Sequence, residues 1–235
     1  MFHVKHPTPE VIALNVGALL EEFAMNALPS PARSSFVERM TSFAALLALW
    51  GARFNLTAEP ENPDEIAFHI IDSLMPLVIA RREPSPLSGA FAPNADVLDL
   101  GSGAGFPGLI LAAASEARFR LVESRRRRVN FLNAALDRMG LVNVTIDPTH
   151  RADSDFLSDF DTVTARAFGP PPEFYRIAAR ALRPGGCAIL YANPEQPLVP
   201  EKAADAGLAV CRRIPYELAR RGSVTRRILA IWRKG

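Results

Sequence analysis

Residues 96–108 run Asp96-Val-Leu-Asp-Leu-Gly-Ser-Gly-Ala-Gly-Phe-Pro-Gly108, a short apolar stretch that passes into a glycine-rich turn and then opens a helix. A strand, a tight turn and a helix in this order leave backbone exposed at the strand's end, where a nucleotide cofactor can approach. Gly101, Gly103 and Gly105 can take positive φ angles, Pro107 suits a first helical turn, and backbone N–H groups are expected to line the pocket. The turn satisfies two patterns at once. Gly103 to Gly108 spells the dinucleotide signature G-x-G-x-x-G, and Gly101 to Gly105 spells G-x-G-x-G.

The surroundings of this motif narrow the choice. From Asp96 onward, apolar runs at 97–100, 118–123, 142–146, 162–165 and 187–192 alternate with helical stretches near 108–114, 125–139 and 172–182. Such alternation predicts a parallel sheet wrapped by helices, an α/β fold. Arg183-Pro-Gly-Gly186 is expected as a turn. Two further runs, 209–215 and 226–232, are joined by a connection too short for a crossover helix and are expected to form an antiparallel hairpin. A parallel sheet finished by a hairpin is the shape of the class I S-adenosylmethionine-dependent methyltransferases, a fold-level analogy.

Ahead of the motif the pattern is helical. An alanine-rich helix is expected from Glu10 to about Leu28, and a second opens at Ser30-Pro31 with Phe36, Met40, Phe43, Leu47 and Trp50 on one face. Asn62 is expected to cap a third, which Pro76 ends or interrupts. Residues 81–95, rich in proline and small residues, have linker composition. The expected division is a helical N-terminal appendage at 1–80, a linker at 81–95 and a cofactor-binding domain at 96–235.

Within that domain, Glu123 follows the second strand, eighteen residues after Gly105, where a carboxylate reaches ribose hydroxyls. Asp99, at the end of the first strand, is placed to orient a donor's amino group or to stabilise the glycine loop. An NAD-dependent oxidoreductase is the alternative, but it calls for a second mononucleotide-binding half that the remaining length does not supply. The net charge is only +2, yet Arg125, Arg126, Arg127 and Arg128 form a continuous basic run, either a solvated face or a nucleic-acid contact. Cys187 and Cys211 lie in apolar stretches without metal-ligand spacing and are expected to be reduced core residues. No run of eighteen apolar residues occurs and Met1 to Pro7 lacks a signal-peptide pattern, so a soluble, cytoplasmic chain is expected.

The segments Phe54-Asn-Leu-Thr-Ala58, His69-Ile-Ile-Asp-Ser-Leu74, Asp99-Leu-Gly-Ser-Gly-Ala-Gly-Phe-Pro-Gly108 and Thr164-Ala-Arg-Ala-Phe168 together resemble the RsmG, or GidB, family. Ser124-Arg-Arg-Arg-Arg-Val-Asn-Phe-Leu132 also matches that family's basic helix start, and the resemblance runs from about Phe36 to Arg183. It implies methylation of N7 of one guanine in the decoding-region loop of bacterial 16S ribosomal RNA. The donor would be S-adenosylmethionine, the product S-adenosylhomocysteine, and no metal would take part. The implied partner is 16S ribosomal RNA or the small ribosomal subunit; no membrane association and a monomeric protein are expected. A catalytically silent, ribosome-associated donor-binding factor is a further alternative.

Carried over by position, the resemblance implies that Gly101 and Phe106 contact the donor, that Ala152 and Asp153 flank its adenine and that Arg166 lies over it. With Asp99, Ser102, Gly103, Gly105 and Glu123 of the loop and strand ends, these form the expected cofactor site. The resemblance also implies a substrate face built from Arg166, Asn55, His69 and Asp72, and the basic run Arg125, Arg126, Arg127 and Arg128 is itself a candidate for RNA contact. Taken alone, Asn55 could make an Asx turn, His69 could be an ordinary helix residue, and Asp72 could accept an intrahelical hydrogen bond. By position, Phe106, Phe168 and Tyr191 are candidates for stacking on a base. Two departures from the family pattern each remove a cation: Phe68 stands where arginine is usual, and Tyr191-Ala-Asn-Pro194 replaces a lysine-glycine.

Overall fold

The computed structural model describes residues 7–28, 30–82, 87–149, 156, 158–220 and 223–235. Three helices come first: α1 (Pro9–Ala27), α2 (Ser30–Phe54) and α3 (Pro63–Arg82). Then follow β1 (Asp96–Leu100), α4 (Gly108–Ala113), β2 (Arg118–Val122), α5 (Arg126–Met139), β3 (Val144–Asp147), β4 (Phe160–Arg166), α6 (Pro171–Ala181), β5 (Leu182–Ala192), α7 (Pro200–Asp205), β6 (Leu208–Arg220) and β7 (Ser223–Lys234). The seven strands form one sheet in the order β3-β2-β1-β4-β5-β7-β6, parallel except for β7, which runs antiparallel to both neighbours. The expected hairpin is present and longer than its apolar core suggested.

Side chains alternate across the sheet, so each face buries its own set. Val97, Leu121 and Ile231 join a core with Phe43 and Leu47 of α2, Ile70 of α3, Leu109 of α4 and Phe131 of α5. Leu98, Leu100, Val163 and Trp232 face the opposite way and pack with Phe174 and Tyr175 of α6. The N-terminal helices thus form one layer with α4 and α5, and α6 and α7 form the other. Residues 87–95 also pack inward: Leu87, Ala90 and Phe91 are buried, and the buried Thr162 hydroxyl donates to the Ala90 carbonyl at 2.8 Å.

Helix ends follow their local chemistry. The Asn62 side chain accepts from the N–H groups of Asp64 (3.1 Å) and Glu65 (3.5 Å), the expected cap of α3. Gly140 closes α5 in the left-handed region, with φ 62°. Pro76, expected to end or interrupt α3, does neither, and the helix continues to Arg82. The missing N–H and ring clash cost about 3 kcal/mol, whereas Leu74, Met75, Leu77 and Val78 around it are all buried. Each such side chain contributes about 1.5–3 kcal/mol, so burial outweighs the proline.

The turn expected at 183–186 is a bulge inside β5. Leu182 pairs with Phe160 and Cys187 with Thr162, so four residues loop out opposite Asp161. Arg183 from this bulge binds Asp161 (2.8 Å) and Asp96 (3.0 Å), while Arg118 grips Asp96 through two bonds at 2.8 and 3.0 Å. These pairs hold the Asp96 carboxyl below the usual aspartate range, first through the Arg118 hydrogen bonds. They tie together the amino ends of the central strands, the end of the sheet remote from the glycine loop.

Candidate cofactor and substrate site

The chain steps outward from β1 to β2 and β3, then returns to the other side of β1 as β4. At such a reversal the loops leaving adjacent strands diverge and open a crevice at the carboxyl ends. The glycine loop, residues 101–107, leaves β1 on one side. Arg166 ends β4 on the other.

The loop is folded on itself. The N–H groups of Gly101 and Ser102 both donate to Val122 O (2.9 and 3.1 Å), and that of Gly105 donates to Ser102 O (2.7 Å). Gly103 N–H donates to Glu123 Oε2 at 3.0 Å. The expectation that free N–H groups line the pocket is therefore corrected: these four are consumed internally, and the loop offers close approach instead. Gly105 is where a side chain is least tolerable. Its φ is +91°, and a Cβ there would lie 3.0 Å from Leu109 Cγ. The Phe106–Pro107 peptide is cis.

Two buried carboxylates flank this loop. Asp99 is 1% exposed; its Oδ2 accepts from Gly108 N–H (3.2 Å) and its Oδ1 from the Thr164 hydroxyl (3.0 Å). Burial pushes its pKa up to about 6, partly offset by hydrogen bonds from Ser102, Thr164 and Gly108. Glu123 is 5% exposed, with Oε1 accepting from Arg125 N–H at 2.8 Å and Arg128 3.5 Å from Oε2. Every carboxylate oxygen carries two lone pairs, so both groups retain acceptor capacity toward a ligand. A pyrophosphate would need free N–H donors and positive charge here. The site instead presents occupied donors and two acids, which suit a donor bearing ammonium and sulfonium charges.

Across the crevice, Arg166 is held on several sides. Its Nη1 lies 3.1 Å from Asp72 Oδ2 and 3.5 Å from the His69 carbonyl, and its guanidinium carbon sits 4.9 Å from the centroid of the Phe106 ring. Asp72, 2% exposed, also accepts from the Tyr216 hydroxyl at 2.6 Å. Burial, and then the adjacent Asp72 charge, raise the Tyr216 pKa well above the tyrosine range. One carboxylate thus joins α3, the end of β4 and the β6 strand. Beyond it opens a cavity of about 280 Å³ lined by His69, Asp72, Arg166, Tyr191, Asn193 and Arg227, with Ala167, Ala192 and Gln196 completing the wall.

A family model described as rRNA small subunit methyltransferase G, GidB, matches residues 37–212. The chain belongs to that family. Proteins named ribosomal RNA small subunit methyltransferase G from Zymomonas mobilis and Coxiella burnetii are 43% and 36% identical to it over 145 and 150 residues. Those alignments cover 60% and 63% of this chain and 62% and 68% of the two relatives, so the match spans less than two thirds of the Zymomonas protein. Solved methyltransferases share the architecture. A putative sarcosine dimethylglycine methyltransferase from Galdieria sulphuraria has a TM-score of 0.58 at 15% identity, covering 74% of this chain and 88% of that one. Precorrin-6y C5,15-methyltransferase from Geobacter metallireducens has 0.54 at 19%, covering 63% and 85%. The fold is that of the S-adenosylmethionine-dependent methyltransferases, and the antiparallel β7 sets it apart from the all-parallel dinucleotide fold of the NAD alternative.

In this rRNA small subunit methyltransferase G family member, the expected site residues separate into groups. Asp99, Gly101, Ser102, Gly103, Gly105 and Glu123 meet around the loop, and Phe106 links it to Arg166, His69 and Asp72. Asn55, exposed with φ 48°, lines a different cavity with Thr57, Glu59 and Asn62. Ala152 and Asp153 lie outside the described residues. Arg125, Arg126 and Arg127 are exposed, Arg127 lying 5.7 Å from the Phe54 ring centroid, while Arg128 turns back to Glu123.

The stacking candidates are corrected. Phe168 is buried against Phe174, Tyr191 is buried with its hydroxyl donating to Ser73 O at 2.7 Å, and Phe106 is covered by Phe43 and Arg166. Cys187 is buried and not part of a disulfide, as expected. Thr164 and Asn193 stand in segments singled out in the sequence, but their contacts, and Tyr216 and Arg227 as site residues, were not expected. Their partners lie 34 to 144 residues away in sequence, so no local pattern marks them.

Proposed function

We propose that the chain transfers a methyl group from S-adenosylmethionine to N7 of a guanine in the decoding-region loop of 16S ribosomal RNA, leaving S-adenosylhomocysteine. The observation that carries this reading is the charge layout at the switch point: Asp99 and Glu123 on the loop side, and Arg166 clamped by Asp72 on the other. A related fold, TYW2 of M. jannaschii, was solved in complex with AdoMet and has a TM-score of 0.51 at 17% identity. Family membership supports an RNA substrate.

When bound, the donor supplies an electrophilic methyl on a sulfonium. Glu123 would accept hydrogen bonds from its ribose hydroxyls and Asp99 would orient its ammonium, while Ala152 and Asp153 would flank its adenine. N7 of guanine has an available lone pair at neutral pH, so no general base is required and the protein's task is alignment. Arg166 can donate to guanine O6 or to a phosphate, but not to N7, whose lone pair attacks. Exposed Arg125 and Arg126 stand at the start of α5, where cations oppose the helix dipole by about 0.3–1 kcal/mol each; an RNA phosphate there would relieve that opposition. The enzyme would work as a cytoplasmic monomer without a metal.

Asp99 provides a pH test. Below about pH 6 the free protein carries a proton on this buried group, and a nearby ammonium expels it. Affinity for S-adenosylhomocysteine is therefore expected to climb with pH, by up to about tenfold per unit, and to level off above pH 6. Calorimetry would detect the released proton, and Asp99→Asn should flatten the climb. A wild-type affinity that ignores pH from 4 to 7 would remove Asp99 from the donor site. The reaction itself is tested by incubating the protein with methyl-labelled donor and either free 16S RNA or small subunits. Label in neither RNA would refute it.

A further inference from the structure

The cavity beyond Arg166 holds a second guanidinium. Arg227, on β7, donates from Nη1 to Asn193 Oδ1 at 2.6 Å, and its guanidinium carbon lies 5.7 Å from the centroid of the Phe68 ring. Asn193 directly follows β5, and Phe68 precedes His69 on α3, so the two elements that frame the cavity fix this side chain between them. Tyr216, the partner of Asp72, sits opposite Arg227 in the β6–β7 register.

The charges in this space do not balance. Arg166 is offset by Asp72 at 3.1 Å. Arg227 has an amide and a ring face, and among the described residues no carboxylate lies within ion-pair distance of it. Its neighbour Arg226 points to the other side of β7 and is paired with Glu217 at 3.0 Å. Two guanidiniums against one carboxylate leave an excess positive charge in a space of about 280 Å³, the scale of a single nucleotide rather than a duplex. A guanidinium already held in place loses little freedom on binding and matches phosphate geometry.

We infer that Arg227 is the phosphate-binding residue of this cavity, holding a backbone phosphate of the target nucleotide while Arg166 remains beside the glycine loop. The inference rests on the RNA methyl-transfer reading for its substrate class. Position decides its role: Arg227 fixes where the nucleotide enters relative to Arg166, and so acts on binding of RNA rather than of donor.

The test is fluorescence anisotropy of the full chain, loaded with S-adenosylhomocysteine, against a fluorescein-labelled single-stranded RNA containing one guanine, over a range of salt. Arg227→Gln should weaken binding about tenfold at low salt and lower the slope of log K against log salt by about 0.7. Arg227→Lys should keep the slope, and Arg226→Gln should resemble the wild type. Affinity for S-adenosylhomocysteine should be the same in all four proteins. Equal slopes for the Arg227→Gln and Arg226→Gln proteins, or no binding of the RNA by the wild type, overturns the inference. An Arg227-dependent slope in a protein that methylates no 16S RNA would sink the reaction and leave this inference standing; unchanged kcat/KM in Arg227→Gln would do the reverse.

Discussion

Arg166→Met is expected to cost the protein about 3 kcal/mol of stability or more and to lower methyl transfer at least about 100-fold. Removing the guanidinium leaves Asp72, 2% exposed, with the Tyr216 hydroxyl as its one remaining side-chain partner among the described residues, and an unpaired buried carboxylate is far more costly than the pair was favourable. Loss of activity in this variant alone would therefore be ambiguous. Asp72→Asn combined with Arg166→Met removes both charges and keeps an acceptor for Tyr216, so thermal melting should show most of the stability regained. Methyl transfer should stay low, because the guanidinium that borders both Phe106 and the substrate cavity is still absent. If activity returns together with stability in the double variant, Arg166 is a structural tie and has no part in the reaction.

Gly105→Ala has the second large effect. Its φ of +91° is a conformation that side chains rarely adopt, and the new Cβ would also press on Leu109, the second residue of α4. Strain of this kind costs about 1–3 kcal/mol, and relief requires the loop to move away from Asp99 and Glu123. Affinity for S-adenosylhomocysteine should fall at least about 100-fold, on the order of 3 kcal/mol. Gly89→Ala is the matched control: its φ is +82°, yet a Cβ there meets nothing within 4 Å. That variant should melt slightly earlier and bind S-adenosylhomocysteine normally. Wild-type affinity in Gly105→Ala, measured by calorimetry, would mean that the loop does not form the donor site.

The order of strands and helices around the glycine loop could be read from periodicity because each depends on residues close in sequence. Asn62 announced its own cap, and the alternation from Asp96 to Ala192 announced a parallel sheet. Pro76 misled because its cost is local while the burial that overrides it comes from the neighbouring layers. The substrate side was legible only in part. Arg166, His69 and Asp72 were marked by resemblance, and geometry joins all three, but Tyr216 meets Asp72 across 144 residues and carries no motif of its own. The basic run from Arg125 to Arg128 looked uniform, yet Arg128 faces inward to Glu123 while Arg125 and Arg126 face solvent. Phe68 and Asn193, read as two lost cations, are the pair that positions Arg227 in the same cavity.

Methyl transfer to guanine N7 is tested most directly by locating the transferred group. Small ribosomal subunits lacking the modification, incubated with this protein and methyl-labelled S-adenosylmethionine, should acquire one label in 16S RNA. Chemical scission at N7-methylguanine should then cut the RNA once, in the decoding-region loop. Label on another atom or another nucleotide, or none in RNA despite tight binding of S-adenosylhomocysteine, would contradict the proposed reaction.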